Sequence, residues 1–198
     1  MWENKKIPFT IEVPNATALY LDNMQQELQS TAGFNWQGWS QAANFALQND
    51  TLLEEALTWA ETAISAPFVG QENFNTLQTK GRVLDKLGRS EEAETMLMQA
   101  INHPTAGPLQ IHGYGRQLLT QGETKKALEV FQLNAEKHPD IWPVNVGLAR
   151  GYSATGDYKK ALKYAKLAHE EAPDTLNKDN LQAAIEVLEQ GEDFNQSN

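Results

Sequence analysis

The chain repeats itself every 34 residues, and that spacing limits the folds open to it. Ala149, Tyr152, Gly156, Ala161, Ala168 and Pro173 fall, one step back, on Gly115, Leu118, Gly122, Ala127, Asn134 and Pro139. A second step gives Gly81, Leu84, Gly88, Ala93 and Ala100, with Pro104 one residue early. A fixed period of this size marks stacked supersecondary units. Each unit reads as a helical hairpin. Small residues at 81, 115 and 149 let a second helix approach closely, and Leu84, Leu118 and Tyr152 fill the space one turn later. Gly88, Gly122 and Gly156 follow the first helix, where a left-handed C-terminal cap favours glycine. Ser90, Glu123 and Asp157 open the second helix with acceptors or negative charge. Ala93, Ala127 and Ala161 stand where the helices cross, and Pro139 and Pro173 end the hairpin.

The pattern resembles the tetratricopeptide repeat, with copies at 74–107, 108–141 and 142–175 that each match at about six positions. The resemblance implies an all-α solenoid of helical hairpins, an α-α superhelix whose concave face binds partners. Four residues depart from the family pattern. Lys80 and Tyr114 replace branched apolar residues, Asn145 replaces tryptophan, and Asn134 replaces a small residue.

A divergent hairpin is expected over 36–73. Trp39, Ala42, Ala43 and Ala46 suit its first helix, and Ala56, Ala60 and Ala63 suit its second. Thr51 with Glu54 reads as a capping box between them. The segment 15–35 is expected to form a leading helix, and 176–198 a capping helix and tail, with Leu181, Ala184, Ile185 and Leu188 on one face. A repeat array needs such caps to cover its terminal apolar surfaces.

Residues 1–14 break the helical pattern. Ile7, Phe9, Ile11 and Val13 alternate with Pro8, Thr10 and Glu12, which reads as a half-buried extended strand. No second strand is legible, so three readings stay open: a fragment of an upstream β domain, pairing with a second chain in a homodimer, or an extended segment lying against the helices. The stretches WENKKIPFTIEV, WQGWSQAANFAL and LEEALTWAETAI resemble a bacterial family. In it a small β-rich domain of unknown function (catalogue number 2911) precedes tetratricopeptide repeats. That resemblance favours the fragment reading, in which these repeats are the accessory scaffold half of a larger protein whose β domain carries the activity, and implies a bacterial protein of either cytoplasm or periplasm.

Composition narrows the chemistry. The net charge is −10, from 26 acidic and 16 basic residues, which disfavours nucleic acid and anionic membrane surfaces. The longest apolar run is far short of a membrane span. There is no cysteine, hence no disulfide, thiolate metal site or cysteine nucleophile. His103, His112, His138 and His169 form no metal-ligand motif, and His103 and His138 read as favourable charges at helix C-termini. GYG at 113–115 lacks a preceding strand and a third glycine, so it reads as helix packing. Neither a catalytic residue nor a cofactor or metal site is expected. Trp36, Trp39 and Trp59 read as packing residues of the divergent hairpin, and Trp142, just before Pro143, as packing on the preceding repeat.

One ladder is not needed for packing. Arg82, Arg116 and Arg150 recur at the 34-residue step, each directly after a small position, and Gln78, His112 and Val146 stand one turn earlier. In the tetratricopeptide family this offset faces the concave groove. Guanidinium groups there suit carboxylates, pointing to an extended protein or peptide partner that is acidic or presents its C-terminus. The opposing reading is internal pairing, with Asp85 three residues after Arg82 as the nearest candidate. The candidate binding residues are thus Arg82, Arg116, Arg150, Gln78 and His112. The clamp of chaperone-binding relatives uses lysine and asparagine, which Gln78, His112 and Val146 do not reproduce.

Overall fold

A computed structural model describes residues 14–196. The strand expected over 1–14 lies outside the described residues, apart from Pro14. The described residues form ten α-helices and two short 3-10 turns, with no strand among them. This is the tetratricopeptide-type helical-hairpin solenoid class. They fall into two compact units that divide between Pro104 and Thr105.

The first unit holds α1 (Ala16–Leu28), a 3-10 turn (Thr31–Phe34), α2 (Trp36–Gln48), α3 (Leu53–Ser65), α4 (Phe74–Lys86) and α5 (Ser90–Asn102). α2 pairs with α3 and α4 with α5, and α4 also packs on both helices of the preceding hairpin. Alanines at 42, 43, 46, 56 and 60, all fully buried, bring α2 and α3 together. Leu21 and Leu28 of α1, Trp59 of α3 and Leu84 of α4 join the same core. Trp39 packs against it and donates from Nε1 to the Gly33 carbonyl at 3.0 Å.

The expected Thr51–Glu54 capping box does not form. Asp50 and Leu52 both take left-handed backbone angles, φ 52° and 48°, and Leu52 becomes the residue before the first turn. The helix therefore starts too late for the Thr51 side chain to cap it. Glu54 and Glu55 still place negative charge in the first turn. A capping box forms at α4 instead: Asn73 Oδ1 accepts from the Thr76 amide, and Thr76 Oγ1 accepts from the Asn73 amide.

The second unit holds α6 (Pro108–Thr120), α7 (Thr124–Lys137), α8 (Trp142–Ala154), α9 (Tyr158–Glu171), α10 (Thr175–Glu189) and a 3-10 turn (Phe194–Gln196). α6 pairs with α7 and α8 with α9, while α8 packs on both α6 and α7. Phe131 of α7 is the centre of this packing and is fully buried. A Cβ at Gly147 or Gly151 of α8 would lie 2.6 or 2.9 Å from its ring, and one at Gly115 of α6 would also collide with it. Three small residues thus leave room for one large one. α10 packs on α9, and its Leu181, Ala184, Ile185 and Leu188 are buried.

Gly88, Gly122 and Gly156 all adopt positive φ, 77°, 80° and 82°, directly after the first helix of each hairpin. A Cβ at Gly122 would touch nothing within 4 Å, so only the backbone requires glycine there. We expect Gly122→Ala to lower unfolding free energy by about 1–2 kcal/mol in urea titrations, a pure left-handed penalty without a steric term.

The departures from the repeat pattern each find a partner. Lys80 Nζ lies 2.9 Å from Glu61 Oε1. Asn134 Nδ2 donates to the Pro108 carbonyl at 2.9 Å, and Asn145 Nδ2 to Glu171 Oε2 at 2.9 Å. Tyr114 is buried in α6.

Candidate functional site

Helical periodicity brings four stretches of the second unit around one cavity of about 360 Å³. On α6, His112 and Arg116 are four residues apart and share a face; on α8, Trp142, Val146 and Arg150 follow the same spacing. α10 contributes Asn177, Asn180, Leu181 and Val187 among others, and Phe194 of the C-terminal turn completes the lining. Guanidinium and carboxamide groups line it together with the apolar side chains of Val146, Leu181, Val187 and Phe194.

The cavity exists because the 34-residue step continues beyond the third repeat. One step from Val146 reaches Asn180, and one step from Arg150 reaches Ala184, which also lines the cavity. The small side chain at 184 leaves open the space that a longer residue at this offset would fill.

Arg150 is the most constrained charge in the site. Burial, then the like charge of Arg116, push its pKa below the ordinary guanidinium value, while Asp193 acts in the opposite direction. Its Nε is buried and has no hydrogen-bond partner, as is Nε1 of Trp142. Two buried N–H donors bordering one cavity, both lacking an acceptor, cost roughly 1–3 kcal/mol each. Arg116 is exposed, and neither arginine forms an ion pair among the described residues.

His112 is held neutral. Burial is the main cause, Arg150 and Arg116 add to it, and a hydrogen bond with the Pro143 carbonyl opposes them, leaving the pKa pushed down to about 4. Its ring lies 5.6 Å from that of Phe131, centroid to centroid, and its Nδ1 has no partner. An unfolded imidazole titrates near 6.5, so between 6.5 and 4 the unfolded chain binds a proton that the folded chain refuses. This contribution to stability is complete above pH 6.5 and is lost as pH falls toward 4. We expect about 2–3 kcal/mol more destabilisation between about pH 7 and pH 4.5 in the native chain than in a His112→Gln variant, by urea unfolding at both values.

Of the residues singled out from the sequence, His112, Arg116 and Arg150 meet at this cavity. Gln78 and Arg82 are one turn apart on α4, in the first unit, and do not line it. Arg82 is exposed and makes no ion pair with Asp85 or any other described residue. Trp142, Asn177, Asn180 and Phe194 were not expected at a site. Trp142 packs with Val146 against Ala168, Ala172 and Leu181, so it turns toward the following helices as well as bordering the cavity. Asn180 carries a legible signal, since it continues the Gln78, His112, Val146 series. Phe194 carries none, because a tail has no period. Among the described residues no group of three or more histidine, aspartate or glutamate side chains could hold a metal ion, and no described helix is long and apolar enough to cross a membrane.

The paired helices define a helical-repeat protein. Residues 74–102 match the model of the tetratricopeptide repeat. A solved structure, that of YrrB, described as a TPR protein with an unusual peptide-binding site, is similar over 85% of this chain and 84% of its own. The TM-score is 0.52 at 21% identity, a likeness of fold. No curated protein matches the chain significantly. The chain thus has the tetratricopeptide fold, one used by non-enzymatic protein-interaction modules; neither match concerns the β-rich domain.

Proposed function

We propose that this chain is a non-catalytic interaction module that binds an extended peptide, acidic or ending in a free carboxylate, at the cavity of its second unit. The observation that carries this is Arg150: a largely buried guanidinium, next to a second arginine and without an acidic partner, in a protein of net charge −10. An unpaired buried charge is expensive, and a carboxylate ligand would offset it with charge-assisted hydrogen bonds. Arg116 at the exposed rim attracts the ligand, Asn177 and Asn180 offer carboxamides to its backbone, and the apolar wall takes a neighbouring side chain. Arg82, with Gln78 beside it, offers the same chemistry in the first unit.

The test is selection from a library of randomised peptides with free C-termini, panned on the immobilised chain. Acidic or carboxylate-dependent sequences should be recovered, and their amidated, glutamine-substituted versions should bind about tenfold or more weakly. Recovery of neutral or basic sequences, or none at all, would overturn this reading.

A further inference from the structure

The C-terminal turn does more than wall the cavity. Asn195 uses both ends of its carboxamide on one residue: Nδ2 donates to the Arg150 carbonyl at 3.0 Å, and Oδ1 accepts from Arg150 Nη1 at 3.2 Å. The Arg150 guanidinium carbon also lies 5.3 Å from the centre of the Phe194 ring. The turn itself is fixed to α8 by Ser153, whose Oγ donates to Asp193 Oδ1 at 2.6 Å and accepts from the Phe194 amide at 3.2 Å. Asp193 Oδ1 further accepts from the backbone and side chain of Asn195, at 3.0 and 2.7 Å.

The charges in this network are arranged to leave Arg150 available. Asp193, the one acid nearby, spends its oxygen Oδ1 on three neutral donors and forms no ion pair with the guanidinium. The group that touches Arg150 is an uncharged amide, which orients the guanidinium without neutralising it. Phe194, buried with Ala149, Ala184 and Leu188 and bonded through its amide to Ser153, anchors the turn to α8. The two contacts of Asn195 with Arg150 engage both the backbone and the side chain of the central charge of the site.

We infer that Asn195 is a positioning residue, held by the Asp193–Ser153 network, that pre-orients the Arg150 guanidinium for an incoming carboxylate. The inference rests on the anion-binding reading above. Preorganisation of this kind spares the ligand the entropy of ordering a long side chain.

Two variants of the full chain separate this role from a structural one. Asn195→Ala removes both contacts. Asn195→Asp places a carboxylate on Arg150, which should plug the site, and turns the Nδ2 donor into an oxygen facing Asp193 Oδ1 and the Arg150 carbonyl, which should lower thermal stability. The first readout is nuclear magnetic resonance of the Arg150 side chain. Separate, slowly exchanging Nη signals are expected in the native chain and averaged ones in Asn195→Ala. The second is titration with N-acetylphenylalanine, a carboxylate beside an aromatic ring. Its affinity should fall severalfold in Asn195→Ala and about tenfold or more in Asn195→Asp. Averaged Nη signals in the native chain, or equal affinity in all three chains, would overturn the inference while leaving the site intact. Held signals that are lost in Asn195→Ala, with no carboxylate bound by any chain, would support the positioning and overturn the proposed function instead.

Discussion

Truncation of Phe131 to alanine should lower the unfolding free energy by about 3–5 kcal/mol, the range for removing a buried aromatic side chain. Phe131 is fully buried, and its ring fills space that Gly115, Gly147 and Gly151 leave for it on two other helices. Those glycines sit in helix interiors with no side chains that could swing into the gap, so collapse requires α6 and α8 to move toward α7. The packing term and the cavity term therefore both count. The complementary change, Gly115→Ala, pushes a methyl group into the Phe131 ring and should also destabilise. Combining it with Phe131→Leu should recover part of the loss, a coupling that a double-mutant cycle in urea measures directly. A cost for Phe131→Ala below about 1 kcal/mol would mean that the helices close freely around the gap. The same substitution removes the ring against which His112 packs, so it should also soften the acid-dependent slope attributed to that histidine.

The helices were legible because the 34-residue step carries three kinds of information at once. Gly122 and Gly156 mark the turn, Ala127 and Ala161 the helix crossing, and Pro139 and Pro173 the exit; all three depend on backbone geometry or close contact, which tolerate few residue types. Where tertiary packing sets the backbone, local pattern misleads. Thr51 and Glu54 have the spacing of a capping box, but two left-handed residues in the turn between α2 and α3 shift the start of the helix. Direction was harder still. Trp142 precedes Pro143 as a first-turn residue does, yet nothing in its own neighbourhood says that Leu181, nearly forty residues on, will receive it.

The site was half legible for the same reason. The repeat places Arg116 and Arg150 at equivalent offsets, and His112 stands one helical turn before Arg116, so the two periods together bring them to corresponding faces. Reading 176–198 as a cap hid that α10 stays in step, with Asn180 continuing one series and Ala184 interrupting the other. The contribution of Asp193, Phe194 and Asn195 has no counterpart in earlier repeats. It follows from where the chain returns after Gly191, which only the fold determines.

Replacing Arg150 with glutamine should weaken binding of a carboxylate-bearing peptide by about tenfold to a hundredfold, as loss of a charge-assisted hydrogen bond predicts. Arg116→Gln should cost less, and its effect should fade with added salt, because an exposed rim charge acts mainly by long-range attraction. Stability should not follow affinity. In the native chain the Arg150 charge is desolvated, repelled by Arg116 and without a paired acid, so it contributes little to folding beyond its contacts with Asn195 and Phe194. Glutamine removes the costly charge along with those contacts, and the net change in unfolding free energy should stay within about 1 kcal/mol. A residue kept for packing would lose stability first and binding only as a consequence. Arg150 should lose binding while the fold persists, and isothermal titration beside urea unfolding of the same variant decides between the two. A variant that unfolds readily yet binds normally when folded would return Arg150 to a structural role and leave the cavity without its central charge.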